Sequence, residues 1–482
     1  DDENRWPPGL RVTLYGLGMV YFFVGVAIIA DAFVASIERV TGRRCQHRTS
    51  DGRLRTQKVW NDTVATLSLM ALGSSAPEIA LSVLDLFKKS FHFTPLGAQT
   101  ISGSAAFNLL VIVGVCIIVI PSPEIRLIQE LPAFYVTAGV SVFAYFWLAF
   151  ILIVRTQDVI EIWEAALTFL FLPVLIWLSY KVDVGDAGRL LARLTGRSGG
   201  EPEELENPEK PECVIGLPSG ELTVDAGDQE SKTVDVIVRR SGDCSGQVVV
   251  CFHTMPLTAT PGYEYTAARG KLDFGDGVSE QTIHLEVLPR HPNRIDRKLL
   301  LFLEDVQGGA SFDQETDGGE DADIMTVTIK APGESSGGGM RCLDSVVSIS
   351  GLRRGMADWV EQIRCSVYCL GSYEEQQEAT ALDWVGHLVS LPWKLLFSLL
   401  PPTSFFGGWA CFYTSLAGIG GLTIFVSDLA ELFGCVIGIG DDVTAIVFVA
   451  LGTSMPDLFA SLSAAREEPT ADASIVNVTG SN

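Results

Sequence analysis

Two stretches decide how this chain is read: VATLSLMALGSSAPEIALS at Val64–Ser82 and VTAIVFVALGTSMPDLFAS at Val443–Ser461. In each, Ala-Leu-Gly is followed by Ser or Thr, then Ser, one variable residue, Pro and an acid. A second match trails each copy, Ser102-Gly103-Ser104 after the first and Thr479-Gly480-Ser481 after the second. Chance likeness between Leu/Val-rich helices would share apolar letters. It would not share a Gly, a Ser, a Pro and a carboxylate in one register, so an internal repeat organises the chain.

Both copies sit inside apolar runs long enough for a bilayer core, which needs roughly 20 helical residues. Such runs fall at 10–38, 61–87, 97–120, 132–154, 160–180, 405–433 and 443–464, and an eighth begins near Ala473. The short loop after the first run carries Arg43, Arg44, Arg48, Arg53, Arg55 and Lys58. Basic short loops stay cytoplasmic, which predicts an N-terminus outside and residues 183–400 in the cytoplasm. On that count the two copies cross in opposite directions. The expected architecture is therefore an α-helical membrane protein with inverted-topology repeats, whose site lies at the midplane where the copies meet.

Composition divides along the same lines. The 482 residues are 48% apolar yet carry a net charge of -24, and most of the acidic excess lies in 183–400. A membrane body with a water-facing insertion explains both properties. The acidic balance argues against nucleic acid as a partner. Ten scattered cysteines give no disulfide framework. The expected parts are a membrane half at 1–182 with the first repeat at about 61–120, an acidic linker at 183–212, and a β domain at 213–330. A hinge and helical segment at 331–400 and a second membrane half at 401–482 complete the chain. In 213–330, Val234, Val236 and Val238 alternate with polar residues, as do Ile283, Leu285 and Val287, then Met325, Val327 and Ile329. Turns such as Gly275-Asp276-Gly277 separate these runs, which predicts an all-β, immunoglobulin-like sandwich. Helical stretches are expected at 356–369 and 378–399. The second holds Trp384 and Trp393 and reads either as an interfacial helix or as a plain cytoplasmic one.

Glu78 and Asp457 fall near the middle of their spans. A carboxylate at the bilayer centre costs about 2.5–3.5 kcal/mol on insertion scales, and a cation offsets that cost. Pro77 and Pro456 precede the acids and lack an N–H, which leaves the carbonyls of Gly73 and Gly452 without helix partners. Ser74, Ser75, Thr453 and Ser454 add hydroxyls on the adjoining turn, and Ser104 and Asn108 can add more from the next helix. Ordinary interhelical hydrogen bonding is the competing role for any one of these hydroxyls. The set is all oxygen, and calcium takes about six to eight oxygens in flexible geometry. Two fixed charges balance one calcium or sodium ions, not both fully at once, so competition makes exchange obligatory.

ALGSSAPE with GSAAFN, and ALGTSMPD with ADASIVNVTGSN, resemble the two alpha repeats of sodium/calcium exchangers. GVAIIADAFVASIE, EIWEAALTFLFLPV and WKLLFSLLPPTSFFGGWACF agree with the same family. The resemblance implies an electrogenic plasma-membrane antiporter that exports calcium against entering sodium, a transporter and not an enzyme, with no organic cofactor. It implies Glu78 and Asp457 as the shared carboxylates, and Ser74, Ser75, Ser104, Asn108, Thr453, Ser454 and Ser481 as further ion-coordinating positions. TPGYEYTAARGKLDF and LLLFLEDV make the β domain similar to the family's Calx-beta domains. The family usually carries two, and one is recognisable here. PRHPNRID after Leu288, Gly262 before Tyr263 and Lys330-Ala331-Pro332 stand where the family places acids, so the usual calcium-sensor site is expected to be lost. The remaining acids, Glu315, Asp317, Glu320, Asp321 and Asp323, are expected in a solvated loop. Asn482 falls before the position that would match Asn108, so the chain is expected to be part of a longer protein. Open alternatives are a potassium-dependent or calcium/proton sibling and, from another class, a cation channel with an acidic selectivity ring.

Overall fold

The structure is a computed structural model. It describes all residues except 1–4, 49–53, 72, 74, 89–94, 123, 129–130, 156–160, 184–212, 228, 243–245, 290–294, 314–315, 320–321, 331–348, 468–469 and 482. Two compact units are present. One holds residues 1–41, 60–199 and 359–482, the other residues 42–59 and 200–358.

The first unit is helical. Its long members are α1 (Pro8–Thr41), α2 (Ala76–Lys88), α3 (Pro95–Phe107), α4 (Leu131–Ala149) and α5 (Ile162–Asp183). They are followed by the C-terminal part of α6 (Ile349–Val367), then α7 (Ala381–Phe397), α8 (Trp409–Ile437), α9 (Met455–Glu467) and α10 (Asp472–Ser481). Among the described residues, five helical runs are long and apolar enough to cross a membrane, and the bent pair Ala445–Thr453 with Met455–Arg466 is a sixth if taken as one span. Ile118, Leu110 and Phe169 stand out from their helices with over three-quarters of their surface exposed, as lipid-facing side chains do.

α1 and α8 are the paired scaffolds of the two repeats, and they run antiparallel. Phe33 stacks on Phe412, Phe22 stacks on Phe425, and Gly18 meets Leu429, so one helix descends as the other climbs. Since α1 leads into the first copy and α8 into the second, the copies are inverted. The span expected at 61–87 is divided. A short helix, Asp62–Ala65, passes through π-helical turns at Thr66–Ala71, and α2 begins at Ala76. The second copy repeats the pattern: Asp441–Thr444, π-helical Ala445–Val449, a helical turn at Ala450–Thr453, then α9 after a 50° bend. Pro456 is accommodated because it lies in the first turn of α9, where an absent N–H breaks no helical bond.

The second unit is a sandwich of sheets β10-β3-β5-β8 and β4-β11-β9-β6-β7, built from β3 (Cys213–Gly216), β4 (Glu221–Asp225), β5 (Lys232–Gly242), β6 (Val248–Pro256), β7 (Arg269–Phe274), β8 (Glu280–Val287), β9 (Arg297–Gln307), β10 (Ser311–Phe312) and β11 (Asp323–Lys330). Val236 and Val238, Ile283, Leu285 and Val287, and Met325, Val327 and Ile329 fill its core, as their alternation requires. Leu299–Leu303 does not alternate, for a structural reason. Leu300 and Phe302 point out of the sandwich, yet they are buried with Ile324 in a second apolar cluster.

That outer face is where the basic loop lies. It folds as a hairpin of β1 (Arg44–Arg48) and β2 (Leu54–Lys58). Arg44 covers the Phe302 ring at 4.6 Å, Gln46 donates to Thr326 Oγ1 at 2.5 Å, and Asp317 accepts from both the amide and the hydroxyl of Thr56 at 2.6 Å each. The expectation of a solvated acidic loop is therefore corrected for two members. Asp317 holds the hairpin, and Asp323 is buried, accepting from the Leu217 amide at 2.6 Å. Burial raises the Asp323 carboxyl above its ordinary value, partly offset by that bond. Glu315, Glu320 and Asp321 lie outside the described residues.

Candidate functional site

Glu78 and Asp457 each occupy the first turn of a helix, α2 and α9, just past the break in their copy. The N-terminal end of a helix favours negative charge, which helps hold both acids at depth. Both are buried, and each lies within Coulombic reach of the other.

One helix joins them. Ser104, on α3, donates to Glu78 Oε1 at 3.1 Å and shares a 2.5 Å hydroxyl contact with Ser454, in the break of the second copy. One turn further, Asn108 donates to Asp457 Oδ2 at 3.0 Å and to Ser481 Oγ at 3.1 Å. Ser75, in the break of the first copy, donates to the Ser481 carbonyl at 3.3 Å, and the Thr453 side chain reaches Glu78. Thus each copy's break meets the other copy's second helix. Seven of the side chains expected from sequence, besides the two acids, are Ser74, Ser75, Ser104, Asn108, Thr453, Ser454 and Ser481; six are brought into this cluster, and Ser74 lies outside the described residues.

Glu78 Oε2 and Asn108 Oδ1 are buried acceptors with no hydrogen-bond partner among the described residues. Leaving such oxygens unsatisfied is unfavourable by about 1–3 kcal/mol each, and more for a charged group. A cation held between the acids would satisfy both. The donor set is carboxylate, hydroxyl and amide oxygen, suited to a hard ion.

Gly73 and Gly452 have a packing duty that sequence reasoning did not foresee. A Cβ on Gly73 would lie 2.6 Å from the Phe33 ring, and one on Gly452 would strike Val426. Each glycine lets the broken helix close on a scaffold, Gly73 on α1 and Gly452 on α8. Gly103 does the same between copies, because a Cβ there would run into the Ile446 carbonyl. The π-helical turns, placed alike in the two copies, also went unforeseen, since no residue pattern announces them.

The surroundings of the two acids differ. On the Glu78 side a cavity of about 370 Å³ runs past Ser75, Ser82, Val83, Ile101 and Ser104 toward the C-terminal end of α2. Ser461 is the counterpart of Ser82 by repeat register. It is fully buried and accepts from Asn477 Nδ2 at 2.8 Å, so α9 and α10 are joined where α2 and α3 leave space.

A sequence profile of the family described as sodium/calcium exchanger protein matches residues 14–181 and 407–482, both flanks of the insertion and every side chain of the cluster. The chain belongs to this family. A Calx-beta domain profile matches residues 209–330, the sandwich. Among similar exchangers are sodium/calcium exchanger 2 of Rattus norvegicus, 27% identical with 100% of this chain and 83% of that protein covered, and sodium/calcium exchanger Calx of Drosophila melanogaster, 26% identical with 98% and 77% covered. The apo Calx CBD1 domain structure is 25% identical over 25% of this exchanger chain and 98% of its own length, with a TM-score of 0.22.

Proposed function

We propose that this exchanger is an electrogenic antiporter of the plasma membrane, exporting calcium in exchange for sodium by alternating access, with its N-terminus outside and residues 183–400 in the cytoplasm. The observation that carries the reading is the single hydrogen-bonded cluster in which α3 and the π-helical turn Asn108–Ile112 that continues it tie Glu78 of one copy to Asp457 of the other. Calcium takes both carboxylates, with Ser104, Asn108, Ser454 and Thr453 completing its shell. Ser74, Ser75 and Ser481, and the carbonyls of Gly73 and Gly452, belong to the same ion path. Sodium ions compete for the same oxygens, which couples the two fluxes. A doubly negative empty site resists crossing the low-dielectric interior, which blocks uncoupled leak.

The unequal surroundings of the acids support alternating access. A cavity open beside Glu78 and a Ser461–Asn477 bond closing the Asp457 side are what a two-sided carrier presents in one of its states. In the proposed orientation that state faces outward. For the sandwich, the commitment of Asp317 and Asp323 to protein hydrogen bonds supports loss of the usual calcium-sensor site.

The test is calcium-45 uptake into proteoliposomes driven by an outward sodium gradient, with and without potassium. Glu78→Gln and Asp457→Asn should each reduce sodium-driven uptake to background, and potassium should change nothing. Retained exchange in either variant counts against the shared site. Unitary currents in place of gradient-driven uptake would point to a channel.

A further inference from the structure

Building on the alternating-access reading, we propose that Ser461 with Asn477, and Ser82 with Thr100, are paired latches. Each closes its own side of the site while the other stands open. The repeat register matches them: Ser82 follows Glu78 by one helical turn as Ser461 follows Asp457. Thr100 precedes Ser104 by one turn as Asn477 precedes Ser481.

α2 and α3 meet where Ser104 donates to Glu78, and the short link from Lys88 to Pro95 turns the chain back between them. In such an antiparallel pair, one turn onward along α2 stands level with one turn back along α3. Thr100 is therefore on the same rung as Ser82. In α9 and α10 that rung is made. Asn477 Nδ2 donates to Ser461 Oγ at 2.8 Å, and both residues are fully buried. In the first copy it is not made. Ser82 and Val83 of α2 and Ile101 and Ser104 of α3 line the cavity of about 370 Å³. The Thr100 hydroxyl is left buried, with no hydrogen-bond partner among the described residues.

A buried hydroxyl without a partner is unfavourable and calls for an explanation. The second state of the carrier supplies one. When α2 closes on α3, Ser82 reaches Thr100; when α9 leaves α10, Ser461 and Asn477 part. One buried hydrogen bond replaces another, which keeps the two states close in free energy. Because the copies are inverted, the two latches close opposite sides of the membrane. They are not equal. Threonine reaches less far than asparagine, so α2 must approach α3 more closely than α9 approaches α10. That difference favours the state observed, with the Asp457 side closed. Ser82, Thr100, Ser461 and Asn477 are thus positioning residues, which act on the site through the helices that carry it.

Val83 and its register counterpart Leu462 can report the two sides, since neither belongs to a latch. Val83→Cys or, separately, Leu462→Cys is made in the full chain, reconstituted in vesicles without sodium or calcium, and reacted with an uncharged maleimide. Peptide mass spectrometry reads that position apart from the native cysteines. Thr100→Asn lengthens the reach to Ser82 and should quicken labelling at 462 by about three- to tenfold, the worth of one hydrogen bond. Ser461→Ala, which breaks the other latch, should quicken it too. Thr100→Val removes the hydroxyl with little change of shape and should slow it. Labelling at 83 should move in the opposite sense in each variant. A damaged fold would quicken both positions together, so opposite movement is the signature of the latches. Labelling that moves together, or not at all, in these variants overturns the proposal. If sodium and calcium still drive positions 83 and 462 apart in the parent chain, only the latches have failed. If no ion drives them apart, alternating access fails as well.

Discussion

Asn108 commits both amide hydrogens inside the site, one to Asp457 and one to Ser481, and keeps its carbonyl oxygen buried without a partner among the described residues. The amide therefore does two things at once: it holds Asp457 in place and keeps a buried oxygen that a cation would satisfy. Asn108→Ala removes both and leaves Asp457 short of a donor, at about 1–3 kcal/mol. Equilibrium calcium-45 binding should weaken by about tenfold or more, since 1.4 kcal/mol is tenfold in affinity. Unchanged binding would take Asn108 out of the site. The acids and hydroxyls were legible in sequence because a repeat fixes which polar letters recur inside apolar text; this amide was legible only from its place on the next helix and from the family resemblance. The Ser461–Asn477 bond was not, because Asn477 has no matching residue type in the first copy, where Thr100 stands in its register.

Elements were legible where one period governs a run. Strands β5, β8 and β11 follow their alternation, and α1 and α8 follow their apolar length. The breaks before α2 and at Ser454 followed from the prolines and glycines, but the π-helical turns before them did not, because they depend on packing between copies. The helix expected at 378–399 reads from sequence as either interfacial or cytoplasmic, and the contact of Trp393 with α1 is not announced by its residues. Within the sandwich, Asp323 makes a pH prediction. Its carboxyl is raised in the folded chain, so the folded state holds that proton more tightly than the unfolded one. Its contribution is greatest below the ordinary carboxylate range and is lost as pH rises through the folded value. Asp323→Asn keeps an acceptor for the Leu217 amide without the charge, and should flatten that dependence in denaturant unfolding of the chain. Asp323→Ala should destabilise by about 1–3 kcal/mol through the orphaned amide. A pH profile unchanged by the Asn substitution would contradict the assignment.

At the scale of the molecule, the two membrane halves and the insertion were legible as composition. The seating of the basic loop on the sandwich was not, since β1 and β2 carry Arg and Lys as any solvated loop would. What fixes the hairpin is a distant acid, Asp317, together with the apolar outer face at Phe302. Asp317→Ala should free Thr56, and hydrogen exchange at its amide should accelerate about tenfold or more. Micromolar calcium should leave that amide's exchange unaltered in the parent chain. Calcium-dependent protection there would restore a sensor role to this sandwich.

The central claim is that one calcium ion touches carboxylates from both repeats. Anomalous diffraction from crystals of the full-length exchanger grown with calcium tests it most directly. The account predicts a single peak about 2.3–2.6 Å from carboxylate oxygens of both Glu78 and Asp457. Separate peaks at the two acids, or a peak bound by only one of them, would contradict it.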